Sequence, residues 1–190
     1  MHPPLSELLA TARVVSLPLV VKFRGIWSRE IMLFQGPEGW TEFSPFVEYN
    51  DDEAVHWLRA ALEFGWQPLP KLYRDEIMVN ATVPAVAPDQ VAEVLSHFDG
   101  CRTAKVKVGE PGQLLNEDVE RVREVRRILG PEGRIRVDAN GVWNVDEAEH
   151  AFHALAEFDL EYVEQPCASL EELAELRQRT HYMDVPIAAD

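Results

Sequence analysis

Arg134-Ile135-Arg136-Val137-Asp138, Tyr162-Val163-Glu164 and Pro186-Ile187-Ala188-Ala189-Asp190 are three short apolar runs, each closed by an acid, and the acids stand 26 residues apart. A period of that length holds a strand, a helix and two loops, the repeat of a βα barrel, whose active sites lie where the strands end. Three carboxylates at successive strand tips converge on one point, and close carboxylates do not all ionise without a cation among them. Oxygen-only ligands select a hard ion, Mg²⁺ first and Mn²⁺ second. Asp138, Glu164 and Asp190 are therefore the candidate metal ligands.

Working outward, strand and helix patterns alternate from Ile77 onward. Strands are predicted over 77–83, 103–108, 134–138, 162–164 and 186–190. Helices are predicted over 88–98, 116–129, 144–158 and 169–179, with Asn144 or Asp146 and Ser169 as caps. Repeated βα units imply a parallel sheet covered by helices, either doubly wound or closed into a barrel. The barrel is favoured because successive strand tips each carry a polar residue, whereas an open sheet gathers them at one crevice. Only five strands are present where closure needs eight. The expectation is a (β/α) TIM-type barrel truncated after strand five, a piece of a longer protein.

Residues 1–76 differ in texture and read as a small α+β domain. Strands are predicted over 17–23, 30–34 and 40–43, with Gly36-Pro37-Glu38-Gly39 as a turn. A helix over 51–64 follows, capped by Asp51 or Asp52, with Ala54, Val55, Leu58, Ala61 and Leu62 on one face. The barrel part then covers residues 77–190.

The net charge of −15 argues against nucleic acid or an anionic membrane as a partner, since both call for basic patches. A small carboxylate substrate is compatible with it, because a local metal and lysines outweigh a diffuse surface field. Cys101 and Cys167 make neither a disulfide framework nor a metal-ligand spacing. Two reduced thiols, no signal-like opening and no apolar run of about 18 residues lead to the expectation of a cytoplasmic protein. His56, His150 and His153 fall on solvated helix faces, and Gly130-Pro131-Glu132-Gly133 reads as a helix stop.

Ala104-Lys105-Val106-Lys107-Val108 places two lysines at i and i+2, on one side of a strand. Facing helices they would be buried without partners, so the side that carries the acids is the sensible one. An unperturbed lysine titrates near ~10.4, and base chemistry at neutral pH needs that to fall by about three, roughly 4 kcal/mol. Two ammonium groups about 7 Å apart repel by roughly 2.4 kcal/mol at an effective dielectric near 20. The charge of an ion acts in the same direction. Lys107, nearer the strand's C-terminal end, is the candidate base, and Lys105 its electrostatic neighbour. The ion would hold a substrate carboxylate and stabilise the enediolate formed on loss of the α-proton. Asn140 is a candidate for hydrogen bonding within the site, with a plain turn role before Gly141 as the alternative.

Lys105-Val106-Lys107, Val137-Asp138-Ala139-Asn140, Val163-Glu164-Gln165-Pro166 and Pro186-Ile187-Ala188-Ala189-Asp190 together resemble the enolase superfamily, and within it the muconate-lactonizing branch. The resemblance implies a KxK catalytic motif and Asp, Glu and Asp as magnesium ligands. It also implies that the N-terminal unit is a capping domain that gives substrate specificity. Phe23-Arg24-Gly25, Val79-Asn80-Ala81-Thr82-Val83-Pro84-Ala85 and Val137-Asp138-Ala139-Asn140-Gly141-Val142-Trp143 look most like the o-succinylbenzoate synthase family of actinobacterial type. That likeness implies dehydration of 2-succinyl-6-hydroxy-2,4-cyclohexadiene-1-carboxylate in menaquinone biosynthesis. Lys107 then takes the α-proton and returns it to the departing hydroxyl, and Arg24 faces the succinyl end of the substrate. The family's further lysine, on the sixth strand, falls beyond Asp190. Two other readings stand beside it: a racemase or epimerase of N-acylated amino acids or dipeptides on the same scaffold, and a non-catalytic fragment.

Overall fold

A computed structural model describes residues 3–190. The chain divides into two compact units, Met1–Glu76 and Ile77–Asp190.

In the first unit a short helix, α1 (Leu5–Thr11), precedes an antiparallel meander of β1 (Arg13–Phe23), β2 (Ile26–Gly36) and β3 (Gly39–Phe43), followed by α2 (Asp51–Trp66). Arg24 and Gly25 both have positive φ, 45° and 80°. Two such residues make the turn whose twist matches the flanking strands of a hairpin. The two hairpin strands are longer than the alternation predicted, and β1 carries an irregularity between Pro18 and Phe23, next to a residue with no N–H to donate. The cap of α2 is Asn50, whose side chain accepts from the Glu53 N–H at 2.9 Å, and not Asp51 or Asp52. Those two acids instead occupy the first turn, where the unpaired N–H groups favour negative charge. The buried core of this unit is small: Phe34, Ala61 and Leu62. Part of its cohesion is main chain against main chain. A Cβ at Gly36 would overlap the Gly65 carbonyl, and that same carbonyl accepts from the Glu38 N–H at 3.0 Å.

The second unit alternates strand and helix: β4 (Ala81–Val83), α3 (Val91–Ser96) after a 3₁₀ turn, β5 (Thr103–Lys107), α4 (Leu115–Leu129), β6 (Arg134–Asp138), α5 (Val145–Leu155), β7 (Leu160–Glu164), α6 (Leu170–Arg179) and β8 (Ile187–Ala188). All strand pairs are parallel, in the order β4-β5-β6-β7-β8. Sequential order without reversal is the winding of a barrel and not of a doubly wound sheet, whose order turns back on itself. This is a TIM-type sheet of five strands, preceded in the chain by an α+β unit. Alternate strand residues, among them Val83, Ala104, Val106, Val137 and Val163, pack with Val122, Val125, Phe152, Leu155 and Leu176 of the helices. The other strand face is thereby left to polar side chains. Three strands are shorter than predicted, β5 by one residue and two others by more. β4 begins at Ala81, the partner of Ala104, and the apolar residues Ile77, Met78 and Val79 before it are exposed. β8 ends at Ala188, so Asp190 lies beyond its strand and not at its tip. No helix among the described residues is long and apolar enough to cross a membrane.

Candidate active site

Along β5, Ala104 and Val106 are fully buried in the core between sheet and helices, which turns Lys105 and Lys107 to the opposite face. Parallel register puts Lys107 beside Asp138, and Asp138 beside Glu164. The amine of Lys107 donates to Asp138 Oδ2. That of Lys105 lies 3.1 Å from the same oxygen and 2.8 Å from Glu164 Oε1, bridging the two strand tips. Asp138 is only 2% exposed, so its charge depends on these partners. Its other oxygen, Oδ1, accepts the backbone N–H of Asn140 at 3.0 Å. Asn140 has φ 56°, and its residue is otherwise exposed.

The electrostatics follow from this cluster. Burial pushes the Asp138 carboxyl up, but the hydrogen bonds and charges of Lys107 and Lys105 outweigh it and hold the group below its usual range. Burial likewise works against the charge on Lys105, yet Glu164 and Asp138 outweigh it and hold the amine above the ordinary lysine range. At Lys105 two carboxylates within hydrogen-bond reach thus decide the direction.

Asp190 is not drawn into this cluster. Its side chain is exposed and its backbone N–H donates to Gln165 Oε1 at 2.8 Å. Among the described residues no three acidic, histidine or cysteine side chains stand at metal-binding spacing. The donor set is nevertheless of one chemical kind, carboxylates at the ends of β6 and β7 and two residues past β8, which suits a hard divalent ion. Two of them already gather positive charge from Lys105. Asp138, Glu164 and Asp190 are the residues that could hold such an ion.

Gln165 was not singled out from the sequence. Its φ is 39°, an uncommon conformation for a residue with a side chain. Its backbone N–H donates to Ala188 O, its carbonyl accepts from Gly141, and its amide links Cys167 O to Asp190. It therefore ties together the loops that follow β6, β7 and β8. Gly109, two residues after β5, has φ 71°, and a Cβ there would stand 2.5 Å from Val142 Cγ1. Only glycine allows both that conformation and that approach. In the first unit the Arg24 guanidinium stacks 4.3 Å over the Phe46 ring and donates to Tyr49 Oη at 2.8 Å, with Glu48 Oε1 4.0 Å away.

Lysines and acids on adjacent strand ends of a sequentially wound βα sheet, after an α+β unit, define an enolase-type barrel. Residues 14–65 match the model of the enolase N-terminal domain-like family, residues 89–190 match that of the enolase C-terminal domain-like family, and the chain belongs to the enolase superfamily. It is 54% identical over 189 residues to the o-succinylbenzoate synthase of Mycolicibacterium smegmatis, covering 99% of this chain and 57% of that protein. The chain thus spans a little over half the length of the curated relatives it matches. Among solved structures it resembles N-succinyl Arg/Lys racemase from Bacillus cereus, with a TM-score of 0.72, 19% identity and coverage of 94% of this chain and 64% of that one. It also resembles the o-succinylbenzoate synthase of Thermosynechococcus elongatus with magnesium in its active site, with a TM-score of 0.58, 22% identity and coverage of 94% and 67%. At those identities the two structures speak for the fold.

Proposed function

We propose that this chain carries the metal-binding and proton-transfer residues of a magnesium-dependent o-succinylbenzoate synthase, a carbon–oxygen lyase of menaquinone biosynthesis. The observation that carries the reading is the meeting of both lysine amines with the nearly fully buried Asp138 carboxylate. The choice of reaction within the superfamily is supported by the 54% identity to the mycobacterial synthase, whereas the racemase is similar at only 19%.

Asp138, Glu164 and Asp190 would hold the ion, magnesium by preference and manganese as a substitute. When bound, it supplies positive charge to the substrate carboxylate and to the enediolate derived from it. Lys107, as the free amine, takes the proton from the carbon bearing the carboxylate. The C–H electron pair passes into the enediolate. Lys107, now an ammonium, then gives that proton to the hydroxyl on the neighbouring ring carbon, which leaves as water while the ring becomes aromatic. Lys105 holds the tips of β6 and β7 together and keeps a positive charge beside the developing anion. Arg24 is proposed to meet the succinyl end of the substrate, and Asn140 to help hold the Asp138 loop through its backbone N–H.

The test is an ultraviolet assay of ring aromatisation by the full-length protein, with and without Mg²⁺. Turnover is expected with the ion and should fall by about 10²–10⁴-fold in Lys107→Ala, the range of general acid–base catalysis. Absence of turnover in the parent, or a Lys107→Ala variant as fast as the parent, refutes the reading.

A further inference from the structure

Behind β5, in the first two turns of α4, Arg121 and Asp118 form an ion pair at 2.7 Å with exposures of 1% and 2%. They share their helix face with Val122 and Val125, where apolar side chains suffice. Burying two charges is costly, and replacing such a pair by apolar residues is often neutral or stabilising. Burial indeed pushes the Asp118 carboxyl above its usual range, against the opposing pull of the Gly109 N–H and Arg121. Stability alone is thus a weak reason for the pair.

Its contacts supply a better one. Arg121 Nε donates to Val86 O at 2.5 Å, Nη1 to Lys107 O at 2.9 Å and to Asp118 Oδ1 at 2.7 Å, and Nη2 to Gln113 Oε1 at 2.5 Å. Four of the five guanidinium N–H bonds are engaged. Gln113 passes the connection on to Ala85 O at 2.9 Å, and Asp118 Oδ2 accepts the Gly109 N–H at 2.9 Å. The bond to the Lys107 carbonyl sits at the end of the strand ladder. Val108 N–H bonds to Asp138 O on the β6 side, so by strand geometry the Lys107 carbonyl faces the β4 side. There β4 has already ended, at Val83 opposite Val106. Arg121 takes the place of the missing strand at the last residue of β5.

We propose that Arg121, braced by Asp118 and Gln113, is a positioning residue that fixes the backbone of Lys107 and thereby aims its amine. This inference rests on Lys107 being the proton-transferring group. Misplacement of a catalytic group by an ångström costs about a hundredfold in rate. Arg121→Lys keeps the charge beside Asp118 but loses the planar fork. Arg126, on the same helix, is the internal control, because its guanidinium holds carbonyls before β6 and β7, at the other end of the sheet.

In the full-length protein, Arg121→Lys is expected to lower kcat for dehydration by about ten- to a hundredfold with KM changed by less than about twofold. Gln113→Met, which removes a half-buried brace and leaves the ion pair, should lower kcat in the same sense by about threefold or more. Arg126→Lys should lower the melting temperature and leave kcat in place. Unchanged kcat in both Arg121→Lys and Gln113→Met overturns the proposal, as does an equal kcat loss in Arg126→Lys. Should Arg121→Lys fail to fold, Gln113→Met decides alone. If Lys107→Ala proves as active as the parent, the functional reading falls, and hydrogen exchange of residues 107–113 judges the clamp separately. Exchange roughly tenfold faster in Gln113→Met supports it, and unchanged exchange overturns it.

Discussion

Replacing Arg126 by methionine tests how the lower ends of the strands are held. Its guanidinium donates to Phe158 O twice, at 2.7 and 3.2 Å, to Asp159 O at 3.1 Å, to Gly130 O at 2.9 Å and to Gly133 O at 2.5 Å. The loops entering β6 and β7 thus hang on one side chain. Methionine keeps most of the stem and removes every donor. Phe158 and Gly133 are buried, so their carbonyls lose a charged donor without gaining water, while Asp159 is exposed and rehydrates. An unsatisfied buried acceptor costs about 1–3 kcal/mol, so two give about 4 kcal/mol. For a chain of this size each kcal/mol lowers the melting temperature by about 2–4 °C. The transition of the second unit, followed by scanning calorimetry, should therefore fall by about 8–16 °C. A fall of less than about 2 °C would mean that the strand ends are held by other means.

Two further outcomes follow from titratable groups. Arg136, then Arg134, hold the Glu161 carboxyl below its usual range by hydrogen bonds and charge, against the opposing effect of burial. A depressed carboxyl contributes stability above its unfolded value, about 4.3 for glutamate, and loses it as the pH falls through the folded one. Glu161→Gln should therefore be less stable than the parent at pH 7 and show a flatter acid limb below about pH 4.3 in denaturant titrations; parallel limbs would refute this. Cys167 is fully buried and its thiol is pushed up to about 11, first by desolvation and then by Glu172 and Glu175. Iodoacetamide at pH 8 should leave it unmodified in the native chain, by peptide mass mapping, and modify it in denaturant; rapid native alkylation would contradict the burial.

The alternation after Ile77 was legible because helix and strand periods differ and because Ser169 and Asn144 both cap helices where a capping residue was read. The lysine pair was legible for a similar reason, since Ala104 and Val106 between and beside them leave one face for apolar packing. β6 runs over 134–138 as read, but the start of β4 and the end of β8 were not legible. Whether a residue belongs to a ladder depends on where its neighbour strand starts, and that is not a local property, as Ile77–Asn80 and Asp190 illustrate. The raised Lys105 amine has no local signal, because like charges two residues apart are visible in a sequence, while carboxylates arriving from two later strands are visible only as candidates. Asp118 and Arg121 were not picked out, since nothing local distinguishes a solvated i, i+3 pair from a buried one. Helix α1 is a single short element without a side-chain cap, and it left no periodic signal strong enough to find.

The contact between Gly36 and Gly65 has a consequence for how the first unit tolerates change. Where side chains interlock, a loss on one element can be made good by a larger residue on its neighbour. A joint made of bare backbone offers no such trade, because Gly36 admits hydrogen alone and a Cβ at Gly65 would press on the Thr41 side chain at 3.0 Å. Drift in this unit is thus channelled toward its exposed aromatic residues, such as Trp40 and Trp57. The hairpin's seat on its helix stays constant while the outward-facing chemistry is open to revision.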